Sequence, residues 1–152
     1  METIFVGLAI VFIIGIILIF CGKKKDDEDQ KETNKYDEVL VQPQLDTLPT
    51  MTLNELAKFD GKQNKKVYLA CKGLVFDVSE SEFYVGDGGY SAFAGKDCSI
   101  NLARMSFETN DYNKYGQVEL TLSERDVLDQ WYEKYYSKYR IVAKISETKK
   151  DN

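Results

Sequence analysis

The chain has 152 residues and a formal net charge of −5, with 25 acidic residues, 20 lysines and arginines, and no histidine. This length suits one ordinary domain with short extensions, and a hydrophobic content of 43% is sufficient for a core. An acidic chain lacks the concentrated basic face that phosphate binding requires, so we expect no nucleic-acid partner, and the absence of histidine removes the commonest metal ligand and the usual acid–base catalyst.

The first apolar segment predicts a membrane-spanning helix. Residues 4–21 contain no charged side chain, and a helix of this length spans roughly 27 Å, close to the thickness of the bilayer core. A cleaved signal peptide is the alternative, but residues 1–3 include no basic residue and no small-residue cleavage pattern follows. Because the lysines at 23–25 follow the span, the positive-inside rule predicts a lumenal or extracellular stub at 1–3 and a cytoplasmic position for the rest of the chain.

Residues 22–50 predict a flexible charged linker. The acidic run Asp26–Glu32 and the polar stretch after it, up to about Pro49, show no hydrophobic periodicity. Val39–Val41 is the only apolar cluster in this segment, and Pro43 soon interrupts it. We therefore expect the linker to tether a folded domain to the membrane span.

The folded domain is predicted at residues 51–145, before a polar tail at 146–152. Thr52 and Glu55 have the spacing of a capping box, which predicts the start of a short helix. Met51 is positioned to pack on Leu56 and to fix the direction in which the chain enters that helix.

A hairpin and a second short helix follow. Residues 67–71 and 74–78 are joined by the turn dipeptide Lys72-Gly73, which predicts two antiparallel strands with Leu74, Phe76 and Val78 on one face. Further along the chain, residues 99–105 predict another short helix whose apolar side chains pack in the core.

The last third of the domain predicts a longer helix and a final strand. Ser123 is the expected N-cap, with Leu122 packing on Val127. The core-facing positions of this helix are Val127, Leu128, Trp131 and Tyr135, and residues 139–145 alternate as a strand. The order of these elements predicts an α+β domain.

A glycine-rich loop between two tyrosines is the main candidate site. Tyr84 and Tyr90 bracket Gly86, Gly88 and Gly89, which permit positive φ and allow the backbone to approach a large flat ligand. A plain turn between half-buried aromatic rings explains the same pattern. The residues alone leave both interpretations open.

Three other patterns predict no site. Residues 111–116 begin like a calcium loop, but the closing acidic position falls on Leu122. Gly95-Lys96 is followed by Asp97 rather than by the Ser or Thr of a phosphate loop. The cysteines at 21, 71 and 98 are odd in number and include no Cys-x-x-Cys pair, so they predict neither a disulfide framework nor a zinc site.

Several motifs, taken in order, resemble one known family. They are Thr52-Leu53-x-Glu55-Leu56-x-x-Phe59-Asp60-Gly61, Gly73-x-Val75-Phe76-Asp77-Val78, Phe83-Tyr84-x(5)-Tyr90-x-x-Phe93-Ala94-Gly95-Lys96-Asp97 and Leu102-Ala103. They resemble the membrane-associated progesterone receptor component family, whose members carry a cytochrome b5-like heme/steroid-binding domain. The resemblance covers the whole predicted domain, and the single N-terminal anchor is similar to that family's.

The resemblance implies a particular heme site. Cytochrome b5 proteins hold the heme iron between two histidines, which this chain lacks. The family instead implies ferric heme b as the cofactor, with Tyr90 as the axial iron ligand, Tyr84 bonded to the heme, and Lys138 and Tyr139 in contact with a propionate. Tyrosinate is a known heme ligand, because a bound metal favours the deprotonated oxygen. The loop departs from relatives, which often have Gly-Pro here, in being free of proline.

The same resemblance implies what the protein does and where. It implies a heme-binding protein that is not itself an enzyme, that regulates membrane partners such as cytochromes P450 or sterol metabolism, and that is able to bind steroid or form a heme-mediated homodimer. The alternative is a heme-independent steroid-binding or protein-interaction adaptor on the same fold. A third option, an electron-transfer hemoprotein, is opposed by the missing histidines. We expect a single-pass protein of the endoplasmic reticulum or another endomembrane, with the C-terminal domain in the cytoplasm.

Overall fold

A computed structural model of the chain describes residues 40–146. The predicted stub at 1–3, the span at 4–21, the first part of the linker and the tail after Ser146 lie outside the described residues. Over the described range, none of the helices combines the length and the apolar character that crossing a membrane requires.

A four-stranded mixed sheet forms the centre of the domain. Its strands are β1 (Thr50–Met51), β2 (Tyr68–Cys71), β3 (Leu74–Asp77) and β4 (Arg140–Ile145), in the spatial order β1-β4-β3-β2. β1 pairs with β4 in parallel, whereas the other neighbouring strands pair antiparallel. The strands from the two ends of the domain thus meet in one sheet, and the predicted α+β class is confirmed.

The predicted hairpin is present as β2 and β3. Lys72 has a φ of 50° and Gly73 a φ of 78°, the two successive positive values that a type I′ turn requires. β3 lies between β2 and β4 in the sheet, and it is covered on both faces: Val75 packs in an aliphatic cluster, Phe76 packs on the rings of Tyr132 and Tyr135, and both are completely buried. The strand is therefore buried on both sides rather than on the single predicted face.

Within residues 40–146, three α-helices pack with the sheet: α1 (Leu53–Leu56), α2 (Ser99–Arg104) and α3 (Leu122–Lys138), with 3-10 turns at Leu45–Thr47, Ser91–Phe93 and Thr109–Asp111. The capping box at α1 is confirmed, since the backbone N–H of Glu55 donates to Thr52 Oγ1 at 3.2 Å and the N–H of Thr52 donates to Glu55 Oε2 at 2.7 Å. Two of the four amide donors at this helix start are satisfied in this way.

The prediction that Ser123 is the N-cap of the long helix is wrong. α3 begins after Thr121, whose hydroxyl accepts from the N–H of Glu124 at 3.3 Å while Glu124 Oε2 accepts from the N–H of Thr121 at 2.8 Å. This reciprocal pair satisfies two amides and fixes the start two residues before Ser123. Leu122 is 79% exposed, so it does not pack on Val127 as predicted.

Order extends into the C-terminal part of the predicted linker. The side chain of Gln42 donates from Nε2 to the carbonyl oxygens of Tyr136 at 2.6 Å and Tyr139 at 2.7 Å, and its Oε1 accepts from the N–H of Ile141 at 3.0 Å. Leu48 is buried, with 9% of its surface exposed. Residues 40–50 therefore differ from the structureless segment expected there.

The two sides of the sheet carry different side chains. One side has an aliphatic cluster of Leu56, Ala70, Val75 and Ala143, which is completely or almost completely buried. On the other side, Phe76 contacts the rings of Tyr132 and Tyr135 from α3, with centroid distances of 6.4 and 5.5 Å. Helix α3 and the glycine-rich loop thus build an aromatic side, which contains the candidate site.

Candidate functional site

The glycine-rich loop places its two tyrosines side by side. The N–H of Tyr90 donates to the carbonyl of Phe83 at 2.8 Å, and the N–H of Gly88 donates to the carbonyl of Val85 at 3.0 Å, so the loop folds back on itself. The ring centroids of Tyr84 and Tyr90 lie 5.8 Å apart, with 33° between the planes. Both side chains are buried, with 5% and 8% of their surface exposed.

The three glycines have different structural roles. A Cβ at Gly88 would lie 2.2 Å from the carbonyl oxygen of Glu82, so only glycine fits where the loop crosses its own backbone. Gly86 has a φ of 57°, in the left-handed region that favours glycine. A Cβ at Gly89 would meet no atom within 4 Å. The loop is therefore held by hydrogen bonds and close backbone packing.

The two tyrosines belong to a larger group of rings, which we name the aromatic cluster. Tyr90 lies within 6.5 Å of the centroids of Phe83, Phe93, Phe107 and Trp131. Tyr84 extends the group to Tyr135 and Tyr139, at 6.3 and 6.0 Å. The cluster consists of Phe83, Tyr84, Tyr90, Phe93, Phe107, Trp131, Tyr135 and Tyr139, and most of its rings are buried, whereas Phe83 is 48% exposed.

Phenol hydroxyls give this cluster its polar chemistry. The hydroxyl oxygens of Tyr84 and Tyr135 share a hydrogen bond of 2.9 Å inside the protein, and Tyr139 donates to Ser81 Oγ at 3.3 Å. Burial raises the pKa of Tyr84 and Tyr135 well above the usual value, and burial also raises the pKa of Tyr90. These three phenols are therefore protonated at neutral pH unless a bound cation displaces the proton.

Lysine side chains lie over rings of the cluster. Lys138 Nζ lies 5.6 Å from the ring centroid of Tyr139 and 5.8 Å from that of Phe83. Lys134 Nζ lies 5.4 Å from the centroid of Trp131. Partial burial, and then repulsion from Lys138, lowers the pKa of Lys134 to about 8. The structure thus brings the four predicted site residues, Tyr84, Tyr90, Lys138 and Tyr139, to one group of rings.

Sequence reasoning missed two members of this arrangement. Tyr135 was assigned to the core face of α3, but its hydroxyl is also the hydrogen-bond partner of Tyr84. Lys134 was not singled out, although its spacing of four residues from Lys138 places the two on one side of a helix. That spacing was the available signal for Lys134, whereas nothing local in the sequence pairs Tyr135 with Tyr84.

The pattern that resembled a calcium loop has structural contacts instead. Asp111 Oδ1 lies 2.9 Å from Arg104 Nη1, and Asn113 Oδ1 accepts from the N–H of Asp97 at 2.8 Å. Across residues 40–146, no group of three or more His, Cys, Asp or Glu side chains is arranged to hold a metal ion. The side chains of Asp111 and Asn113 therefore stabilise the fold through these contacts.

Comparison with protein-family models identifies the domain. Residues 52–142 match the model described as "Cytochrome b5-like Heme/Steroid binding domain". Among solved structures, an Arabidopsis thaliana protein with a cytochrome b5-like fold superposes with a TM-score of 0.57 at 37% identity, covering 64% of this chain and 91% of that one. The match to the family model includes every element from α1 to α3 and the start of β4.

Curated proteins give the same assignment. Membrane steroid-binding protein 2 of Arabidopsis thaliana is 41% identical over 70% of this chain and 49% of its own length, so the chain spans about half of that relative. The cytochrome P450 regulator dap1 of Schizosaccharomyces pombe is 31% identical over 90% of this chain and 84% of its own length. Human membrane-associated progesterone receptor component 2 is 31% identical over 62% of this chain and 44% of its own length. The chain therefore belongs to the family of cytochrome b5-like heme/steroid-binding domains, in its membrane-associated progesterone receptor component branch.

Proposed function

We propose that this protein is a membrane-anchored heme-binding protein in which Tyr90 is the axial ligand of ferric heme b. The observation that carries the proposal is the position of Tyr90 in the centre of the aromatic cluster, 5.8 Å from the ring of Tyr84, in a chain without histidine. The description of the family names two classes of ligand, heme and steroid, and we assign the site to one of them.

The residues present fit a ferric heme by their chemistry. A phenol oxygen is a hard donor that suits ferric iron, and the surrounding rings suit a flat macrocycle. Tyr84 and Tyr139 would provide hydroxyl groups for polar edges, and Lys138 would pair with a propionate through a charge-assisted hydrogen bond. Bound heme would supply a cationic iron centre, which stabilises the phenolate of Tyr90 against the burial that otherwise raises its pKa.

This ligand set favours binding and regulation over electron transfer. An anionic oxygen donor stabilises the ferric state and lowers the reduction potential. We therefore assign the protein no catalytic activity of its own and propose that it regulates membrane partners such as cytochromes P450 or sterol metabolism. The relative from Schizosaccharomyces pombe, which is named a cytochrome P450 regulator, supports this choice of partner.

Membrane anchoring through residues 4–21 is part of the proposal. The apolar segment of the sequence and the membrane steroid-binding relatives support an anchored protein of the endoplasmic reticulum or another endomembrane. Protease treatment of sealed microsomes tests the orientation, because a cytoplasmic domain is digested without detergent. Protection of the domain until detergent is added would overturn the proposed topology.

A second candidate is steroid binding without heme. It is favoured by the relatives named steroid-binding proteins and by the hydrogen bond between Tyr84 and Tyr135, which satisfies both hydroxyls without a cofactor. In this case the aromatic cluster would bind the ring system of the steroid and Tyr90 would remain a neutral phenol.

A spectroscopic titration separates the two candidates. The full chain in detergent micelles is titrated with ferric heme, as wild type, as Tyr90→Phe and as Tyr68→Phe, a control tyrosine that stacks on Phe59. We expect a saturable tyrosinate-type absorption spectrum for wild type and Tyr68→Phe, and its loss for Tyr90→Phe. A wild type without such a spectrum, or a Tyr90→Phe variant that retains it, would reject heme ligation by Tyr90.

A further inference from the structure

Two lysines of α3 lie on one side of the helix, next to the rings that contact Tyr90. Lys134 and Lys138 are four residues apart, so their side chains are neighbours on the helix surface. Lys134 Nζ lies over Trp131 and Lys138 Nζ lies over Phe83, and both of these rings contact the ring of Tyr90. Two positive charges therefore lie over two different neighbours of one tyrosine.

These charges have no carboxylate partner in the described part of the chain. No ion pair joins Lys134 or Lys138 to a carboxylate within residues 40–146. The positions one helical turn from Lys134 hold Gln130, Trp131, Ser137 and Lys138, with no acidic residue among them.

Lys72, in the turn between β2 and β3, shows a different arrangement over a ring of the same helix. Its Nζ lies 4.8 Å from the ring centroid of Tyr132, and Asp129 Oδ1 neutralises it at 2.6 Å. The lysine over Tyr132 thus has a carboxylate partner, whereas Lys134, over Trp131, has none within residues 40–146.

Two neighbouring lysines without a carboxylate partner are energetically unfavourable. Neighbouring cations at this spacing repel each other, and partial burial of Lys134 removes some of its hydration. The lowered pKa of Lys134 reflects both effects. An anionic group from outside the chain would relieve the repulsion and compensate for the hydration that Lys134 has lost.

We infer that Lys134 is a second anion-binding residue of the site and that the ligand carries two carboxylates, one for Lys134 and one for Lys138. This inference rests on the proposed function and narrows it, because heme has two propionates whereas steroids in general have no such pair of charges. Lys134 thereby becomes a residue that determines ligand specificity, in addition to the set that the family resemblance implies.

Two probes that differ only in their carboxylates test this inference. The full chain in detergent micelles is titrated with ferric protoporphyrin IX and with its dimethyl ester, in which both carboxylates are blocked. The variants are Lys134→Gln, Lys138→Gln, and Lys58→Gln as an exposed control lysine at the end of α1. Tyr90→Phe is included so that heme ligation is measured in the same series.

We expect Lys134→Gln to weaken binding of the diacid by about tenfold, the size of one charge-assisted hydrogen bond at a partly buried position, and to leave binding of the dimethyl ester unchanged. Lys58→Gln should bind both probes as wild type does. If wild type binds the diacid through Tyr90 but Lys134→Gln matches wild type, or weakens both probes equally, the role of Lys134 is rejected while heme binding stands. If wild type binds neither probe, the proposed function fails and the inference fails with it.

Discussion

The two sides of the sheet are both covered by buried side chains, but one side is aliphatic and the other is aromatic. The aliphatic cluster around Leu56 and Val75 contains only methyl and methylene groups, so its burial carries no polar cost. The aromatic cluster is also largely buried, but it includes the hydroxyls of Tyr84 and Tyr135 and lies under two lysine ammonium groups. Polar atoms are costly to bury, and in the aromatic cluster the two hydroxyls offset that cost by bonding to each other. The two sides therefore differ in chemistry, and the proposed ligand site lies on the aromatic side.

The largest loss of stability is expected from Leu56→Ala. Leu56 is completely buried, and truncating such a side chain removes apolar burial and leaves a cavity, which costs about 3 kcal/mol. Urea denaturation measures the loss, and a heme titration of the folded variant should give the wild-type affinity. Leu122→Ala is the matched control, because Leu122 is 79% exposed and should change stability by less than about 0.5 kcal/mol. Weaker heme binding by folded Leu56→Ala would show that the two sides are not independent.

Gly88→Ala is the next largest expected change, and it lies on the aromatic side. The added methyl group would overlap the carbonyl oxygen of Glu82, and relief of that overlap costs about 2 kcal/mol and moves Tyr84 relative to Tyr90. We expect weaker heme binding together with the loss of stability. Gly89→Ala is the matched control, since its methyl group meets no atom within 4 Å. Equal effects of the two substitutions would contradict the different roles of these glycines.

Tyr135→Phe tests the buried hydroxyl pair. The substitution keeps the ring but leaves the hydroxyl of Tyr84 without its 2.9 Å partner, which costs about 1.5 kcal/mol. Thermal or urea denaturation measures this loss. Tyr136→Phe is the control, because Tyr136 is 37% exposed and lies next to Tyr135 in the helix. If both variants are as stable as wild type, the hydroxyl pair contributes nothing to the aromatic side.

The smallest expected effect is that of Thr121→Ala at the start of α3. Loss of the capping hydroxyl should lower stability by about 1 kcal/mol, because the N–H of Glu124 loses its acceptor. Ser123→Ala, measured in the same denaturation series, should change stability far less. The reverse order would place the N-cap at Ser123 instead. Because α3 provides Trp131 and Tyr135 to the aromatic cluster, Thr121→Ala should also affect that side more than the aliphatic side.

Local signals in the sequence predicted most of the fold. The Thr52–Glu55 box and the Lys72-Gly73 turn each determine a short segment through contacts between near neighbours, and both are present as predicted. The start of α3 was misplaced because two capping patterns overlap there, and only the one from Thr121 has a glutamate that reaches back to its N-cap amide. Local pattern reasoning cannot distinguish such overlapping signals reliably without the side-chain geometry.

The site was predictable to the extent that its residues are close in sequence or match a family motif. Tyr84 and Tyr90 lie in one loop, so their proximity followed from the spacing of the glycines. The pairing of Tyr84 with Tyr135 joins residues 51 positions apart and depends on how α3 packs against the loop. The ordering of residues 40–50 depends on contacts of Gln42 with residues 94 to 99 positions away, which no local pattern indicates.

The hydrogen bonds of Gln42 have a consequence for any shortened form of the protein. Its amide works as a C-terminal cap for α3, because it donates to the carbonyls of Tyr136 and Tyr139 where the helix can no longer supply donors of its own. The same amide accepts from the first buried residue of β4, so one side chain joins the end of the helix to the start of the strand. A fragment beginning at Met51 would lack this cap next to Lys138 and Tyr139. We therefore expect a fragment that begins at Met51 to be less stable than one that includes Gln42, eight residues ahead of the first strand.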